Sequence, residues 1–574
     1  MGECRAAICP AGSGGLVGDD SRTRLRTFRS LAGNKPLLRV VVAYALFIVT
    51  EYSVWLAMLV YAYRHGGATV AGLVAIAQLV PAAVLAPFAA AVADRRSPVV
   101  LLAGGYLGQA AGMAATAAAV VAGVPLAAYA AAVVASALVT TTRPAQATLI
   151  PSVAVTPGQL TAANVALGWV EAVGIAASGL LVGVLIAVGG VAVVFAVCAG
   201  LGLAAVLLVA RLHVPALAPS PEHAPAVLGD LRDSLRLVVG RPRLRLMVGL
   251  LTADAIVVGA LDLLIVILAI TVLDRPQAWA GYLNFACGVG AVMAATASVA
   301  LVGRRLGGPI LGSALVVSGA LAALAFDLGL AATLALLAVV GASHSLLETA
   351  SRTLLQRSVP AHLLGRVFGV LEGMMMAGLA LGALLVPLLV YLGGSRLALL
   401  GVAAVLPLAA AVGGRGLVTL DAEAPVPVVE IALLRSNPLF AELPAPAIEG
   451  LAAALTPVEV PAGTVLIRQG EPGDAYYAIA TGELDVQKDG HFLFRCGRGD
   501  GVGEIALLRD VPRTATVTAH TPATVYRLNR EPFLAAVLGH APTRHQAARI
   551  ADARLATDAP ARNDTPAAGT AEPG

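Results

Sequence analysis

The sequence predicts a polytopic all-α membrane domain of about twelve helices in two six-helix halves, followed by a smaller β-roll, or jelly-roll, domain with flanking helices. Three observations predict it. Of the 574 residues 58% are hydrophobic and 13% charged, which is more apolar surface than a water-soluble chain can hide. From Leu37 to Gly413 the chain is a succession of apolar runs, each close to the ~20 residues that cross a hydrocarbon core. After Gly416 the composition changes to charged, Pro-punctuated, alternating sequence.

The apolar runs fall at 37–63, 68–93, 99–122, 124–147, 163–187, 190–210, 245–272, 277–302, 309–326, 329–350, 364–391 and 394–413. An even number returns the chain to the side it started from. Arg95 and Arg96, Arg241, Arg243 and Arg245, Arg304 and Arg305, Arg357 and Arg366, and an N-terminal group (Arg22, Arg24, Arg26, Arg29) alternate with loops holding only Arg64, Arg275 or Arg396. Basic residues mark cytoplasmic loops, so both termini are expected in the cytoplasm and the spans in the inner or plasma membrane. No apolar core precedes Pro36, so no cleaved leader is expected.

The resulting plan is an N-terminal tail (1–36), a first half (37–211), a central cytoplasmic loop (212–243), a second half (244–413), a linker (414–430), a soluble domain (431–556) and a disordered tail (557–574). A weak internal repeat supports two halves. Arg143, Gln146 and Pro151 line up with Arg352, Gln356 and Pro360, and each set is followed by Gly-x-x-Glu, at Gly168 with Glu171 and at Gly369 with Glu372.

Composition also excludes. The net charge of +4 comes from Arg scattered through short loops, a topology signal and no footprint for nucleic acid. Cys4, Cys9, Cys198, Cys287 and Cys496 show no paired spacing, so neither a disulfide framework nor a metal site is indicated. No phosphate-cradling Gly-x-x-x-x-Gly-Lys and no nucleophile motif occurs in a suitable context, so no enzyme and no cofactor are expected.

Residues 458–530 alternate in short runs, such as 465–467, 476–479, 484–486 and 524–528, between turns at Gly463, Gly470, Gly473, Gly482 and Gly490. In their middle, 503–517 reads Gly-Glu-Ile-Ala-Leu-Leu-Arg-Asp-Val-Pro-Arg-Thr-Ala-Thr-Val. A glycine turn leads into a short helical stretch whose first N–H groups suit an anion. Glu504 offers acceptors for a hydroxyl, Arg513 a planar fork of donors for a phosphate, and Thr514 a further hydroxyl. A ligand with both a sugar hydroxyl and a compact phosphate satisfies the set.

Residues 432–535 resemble a cyclic-nucleotide-binding domain, and 503–517 is similar to that family's phosphate-binding cassette. The likeness extends to Phe440-x-x-Leu443, Gln469-Gly470-Glu471-x-Gly473-Asp474, Gly482-Glu483 and Phe533. It implies that Glu504 receives the ribose 2′-hydroxyl and Arg513 pairs with the cyclic phosphate. It further implies backbone contacts from Gly503, Ile505 and Ala506, with Thr514 beside phosphate or base. Thr514 is the type seen in members that accept cyclic GMP, so base preference stays open, while the family resemblance favours cyclic AMP over cyclic GMP.

Residues 37–413 resemble the major facilitator superfamily, most closely its drug-exporter-like branches. Ala90-x-x-x-Asp94-Arg95-Arg96 is similar to that family's loop after the second span, although Ala90, Ser97 and Pro98 depart from its pattern; Asp94 and Arg95 are the gating candidates. Ionisable residues within apolar spans each cost about 2.5–3.5 kcal/mol on insertion and call for a function or a partner. They are Glu51, Glu171, Asp254, Asp262, His344, Glu348 and Glu372. The resemblance implies that spans one, four, seven and ten line a central cavity, which selects Glu51, Asp254, Asp262 and Glu348. Such carboxyls either exchange a proton as the cavity alternates between sides, or act as struts paired with Arg143 or Arg352.

The expected function is secondary transport, as proton-coupled export of a small amphipathic or drug-like molecule, regulated by a cyclic nucleotide in the cytoplasm. The competing reading is a non-transporting receptor that holds the sensor at the membrane.

Overall fold

The computed structural model describes residues 34–550 apart from 94–96, 154–156, 213–226, 298–303, 360, 424–427, 441, 442, 444, 540–545 and 548. The gating candidates Asp94 and Arg95, residues 1–33 of the N-terminal tail and the whole C-terminal tail lie outside the described residues. The chain divides into two compact units, Met1–Val426 and Pro427–Gly574.

The first unit is helical: α1 (Lys35–Ala93), α2 (Pro98–Val121), α3 (Pro125–Val153), α4 (Pro157–Gly189), α5 (Val191–Ala210), α6 (Val227–Gly240), α7 (Pro242–Ile267), α8 (Ala278–Ala297), α9 (Gly307–Leu324), α10 (Leu330–Ser358) and α11 (Ala361–Glu423). A π-turn, Leu268–Val272, extends α7. Among the described residues nine helices are long and apolar enough to cross a membrane. Their outer surface is itself apolar: Leu73, Val84, Leu207, Leu381 and Leu388 are all more than half exposed, which suits a lipid solvent.

Two of the helices, α1 and α11, each contain two of the expected spans. The break comes at a glycine pair, Gly66–Gly67 in α1 and Gly393–Gly394 in α11. The second glycine of each pair turns left-handed, and Gly190 between α4 and α5 does the same at φ 79° beside φ 73° for Gly394. An L side chain is strained there, so glycine sets where the chain reverses. The α4–α5 and α11 turns occupy equivalent places in the two expected halves.

Two features depart from the sequence reading. The stretch read as a polar central loop contains α6, an amphipathic helix in which Ser234 and Val238 are buried one turn apart while Leu235, Arg236 and Val239 are exposed. Hydropathy averaging hides a helix with only one apolar stripe. The last span was expected to end at 413, yet α11 runs to Glu423, so the first part of the expected linker is helical.

Glycines close the packing between α7 and α11. A Cβ on Gly382 would sit 2.1 Å from the Ile256 carbonyl oxygen, on Gly378 2.8 Å from that of Thr252, and on Gly259 2.2 Å from that of Leu379. This is the small-residue approach that helix association in lipid relies on.

The second unit begins with α12 (Val428–Ser436) and α13 (Ala445–Ala454) and continues into the strands β1 (Thr456–Val460), β2 (Val465–Ile467), β3 (Ala475–Thr481), β4 (Leu484–Lys488), β5 (His491–Cys496) and β6 (Gly501–Val502). It ends with α14 (Glu504–Arg509), β7 (Thr516–Ala519), β8 (Ala523–Asn529) and α15 (Arg530–Gly539). The strands form two antiparallel sheets, ordered β1-β8-β3-β6 and β2-β7-β4-β5. Ile467, Ile479, Leu484, Val486, Val517 and Val525 cluster between them, alternating with outward residues as strand periodicity requires. Phe440, Tyr476 and Phe533 pack together, with Tyr476 and Phe533 stacked at 5.1 Å, and join the helices to β3. Asn437 donates to the Tyr476 hydroxyl at 2.9 Å, which satisfies that buried polar group.

Replacing Gly382 with Val would drive a side chain into a backbone carbonyl that cannot rotate away. The variant is expected to lose about 1–3 kcal/mol, read as a lower Tm of the detergent-solubilised protein. Gly319→Ala, where nothing lies within 4 Å of the new Cβ, is expected to leave Tm unchanged.

Candidate functional site

In the second unit a cleft opens between β6, α14 and the segment leading into β7. Its lining includes Gly503, Glu504, Ile505, Ala506, Arg513 and Thr514, together with Val486, Leu493 and Phe494; it encloses about 490 Å³ of empty space, part of it continuous with solvent. All six residues singled out from the sequence therefore face one cleft. Gly503 makes this possible: it turns left-handed at φ 94° to end β6 and start α14, and a Cβ there would lie 2.5 Å from the Arg513 Nη1 atom.

Arg513 is 5% exposed and Glu504 2%. The guanidinium is fixed on several sides. Nη1 donates to the Gly503 carbonyl at 3.0 Å, and Nη2 donates to the Ala475 carbonyl at 2.8 Å and to Asp474 Oδ1 at 3.3 Å. The main chain fastens the same region, with Gly470 N donating to Arg513 O at 2.9 Å and Arg513 N to Glu471 O at 2.8 Å. These contacts use part of the fork and leave further N–H groups, Nε among them, for an acceptor in the cleft. Asp474 also accepts from Arg527 at 2.8 Å, so one carboxylate ties two guanidiniums to the start of β3. Sequence reasoning quoted Asp474 only as part of a motif; its holding of Arg513 is visible once β3 and the cassette are side by side.

Phe494 and Leu493 had no signal in the sequence. They enter the cleft because β4 pairs with β5, Val486 opposite Phe494, and a register shift follows at Gln487. Apolar side chains together with a buried Arg and Glu in one lining suit a ligand that combines a flat ring with an anion and a hydroxyl.

In the first unit the ionisable residues gather into two sets. Arg143 donates to Glu51 at 3.0 Å and lies 3.8 Å from Glu171. Arg352 donates to Glu348 at 3.0 Å and to Glu372 at 2.9 Å. The arginines are the pair aligned by the internal repeat, and Glu171 and Glu372 are the aligned acids, so the repeat corresponds to a repeated ion pair. Asp254, 1% exposed, is 3.1 Å from His344 Nδ1. Asp262 accepts from Trp55 Nε1 at 2.9 Å, which ties α7 to the first part of α1. Of the four carboxyls selected from the sequence, Glu51 and Glu348 thus have guanidinium partners, Asp254 an imidazole and Asp262 an indole. Trp55 carried no sequence signal, and His344 was passed over in favour of the carboxyls.

Comparison with known proteins gives two family matches. Residues 40–372 match the Major Facilitator Superfamily and residues 457–540 the cyclic nucleotide-binding domain. The cAMP-dependent protein kinase regulatory subunit of Yarrowia lipolytica is 41% identical over 112 residues, covering 19% of this chain and 30% of the relative. That of Aspergillus niger is 39% identical over 104 residues, covering 18% and 25%. The chain thus spans less than a third of the length of these curated relatives. Among solved structures, the regulatory domain of Toxoplasma gondii PKA with cAMP is 32% identical, with a TM-score of 0.20, covering 22% of this chain and 50% of that one.

Arg143→Met would strand the Glu51 carboxylate, whereas adding Glu51→Gln removes the charge as well. The single variant is expected to melt below the double variant, by less than the about 3–5 kcal/mol of a fully buried pair, since both side chains are partly exposed. Equal melting of the two in a detergent thermal scan would show no coupling.

Proposed function

The chain belongs to the Major Facilitator Superfamily and carries a C-terminal cyclic nucleotide-binding domain, and we propose that it is a secondary transporter whose activity is set by a cyclic nucleotide in the cytoplasm. The observation that carries the regulatory half is Arg513: a buried guanidinium held by two carbonyls and Asp474, with N–H groups left toward the cleft it shares with Glu504.

In this reading the cyclic phosphate pairs with Arg513 and the ribose 2′-hydroxyl donates to Glu504. Backbone groups of Gly503, Ile505 and Ala506 contact the phosphate at the start of α14, Thr514 sits beside phosphate or base, and the base lies against Leu493 and Phe494. A bidentate Arg–phosphate contact is the strong, orienting one; the short helix start adds to it. Cyclic AMP is the proposed ligand over cyclic GMP, in line with the names of the relatives.

For the membrane unit we propose about twelve spans in two six-helix halves, reversing at the glycine pairs of α1 and α11, with both termini and the nucleotide domain (431–556) cytoplasmic. The proposed activity is proton-coupled export of a small amphipathic or drug-like molecule. Glu51, Asp254, Asp262 and Glu348 are the coupling candidates, and the support is their placement on α1, α7 and α10 within apolar helices.

Calorimetric titration of the purified full chain tests the sensor. Cyclic AMP is expected to bind more tightly than cyclic GMP. Arg513→Ala removes at least two hydrogen bonds to a charged phosphate, each about 1.5–3 kcal/mol, so its affinity is expected to fall at least about 100-fold. Asp474→Ala leaves both carbonyl contacts to Arg513 and removes only an exposed carboxylate, so a loss of no more than about fivefold is expected. An Arg513→Ala variant that binds like wild type would overturn the assignment. For transport, an imposed pH gradient is expected to drive ethidium efflux from proteoliposomes; flux indifferent to that gradient would refute proton coupling.

A further inference from the structure

His344 on α10 is flanked by carboxylates at both ring nitrogens. Nδ1 lies 3.1 Å from Asp254 Oδ1 on α7, and Nε2 lies 3.9 Å from Glu348 Oε2, one turn along its own helix. A neutral imidazole has one N–H and one lone pair, so it can face only one carboxylate favourably. An imidazolium faces both.

The neighbours sharpen this. Glu348 is also held by Arg352, whose Nη1 atom donates to Glu372 on α11. Two carboxylates, Glu348 and Glu372, thus share one guanidinium, while Asp254 has the His344 ring, in a region where charge is poorly screened. Asp254 is 1% exposed, so it has no water to fall back on. Asp262 is the remaining acid near His344, and it is engaged by the Trp55 indole. Of the other helices packed on α10, α8 carries only Tyr282 and Cys287 as titratable groups and α9 carries none, while Glu171 on α4 is a further acid that interacts with Glu348 and Arg352.

We infer that His344 is the proton carrier of the membrane unit, the proton being shared with Asp254 on one side and Glu348 on the other. With the proton bound, both ring nitrogens donate, to Asp254 and toward Glu348. When it leaves to water from Nε2, Nδ1–H stays on Asp254 and Glu348 falls back on Arg352, so the network gains one negative charge and loses the link between α7 and Glu348. That charge change is what a proton gradient can work on. The carrier's use in transport rests on the proton-coupled reading above; its protonation does not.

Two measurements separate the claims. Nitrogen NMR of histidine-labelled full-length protein in lipid nanodiscs, with His344→Gln identifying the signal among the nine histidines, is expected to show a doubly protonated ring at about pH 7. Asp254→Asn is expected to remove that doubly protonated signal while leaving the resonance of a folded protein. A neutral His344 ring throughout about pH 6 to 8 would overturn the inference. In proteoliposomes His344→Gln is expected to flatten the pH profile of gradient-driven ethidium efflux over the same range, and an unaltered profile would equally overturn it. Should wild type move no dye under a pH gradient, the transport reading fails and the NMR result alone decides whether His344 holds the proton.

Discussion

A charge inside a bilayer has no water to turn to, and that constraint organises the membrane unit. Each of the six acids singled out from the apolar spans has a partner among the described residues: Glu51 and Glu171 around Arg143, Glu348 and Glu372 around Arg352, Asp254 with His344, and Asp262 with Trp55. Most of these contacts cross between helices. They fix which helices face one another where the packing between them, made by Gly, Ala and Val, specifies little. The same logic governs the second unit on a smaller scale. Arg513 is buried beside Glu504, and its position is set by carbonyls of Gly503 and Ala475 before any ligand arrives.

Much of this was legible in the sequence because it depends on local chemistry. The bounds of the apolar runs, 63 to 68 and 391 to 394, fall at the breaks that Gly66–Gly67 and Gly393–Gly394 make, and strand alternation marked the roll. The cassette was legible because Gly503, Glu504 and Arg513 lie close in sequence as well as in space. What was not legible depends on pairing across distance. Phe494 reaches the cleft through the β4–β5 register, Asp474 reaches Arg513 across 39 residues, and Trp55 reaches Asp262 across 207. The amphipathic helix α6 was missed for a different reason: a single apolar stripe averages to a polar stretch.

A nucleotide can bias a transporter only if it binds one conformation of the chain better than another, and the bias then works in both directions. Helix α11 continues to Glu423 and α12 begins at Val428, so few residues separate the last membrane helix from the nucleotide domain.

The most direct test of the central claim is the rate of gradient-driven ethidium efflux from proteoliposomes, measured with and without cyclic AMP on the side that bears the nucleotide domain, for wild type and Arg513→Ala. The account predicts a wild-type rate that changes with cyclic AMP and follows the occupancy measured by titration, and a variant rate that ignores it. A wild-type rate that is the same with the site empty and full would contradict it.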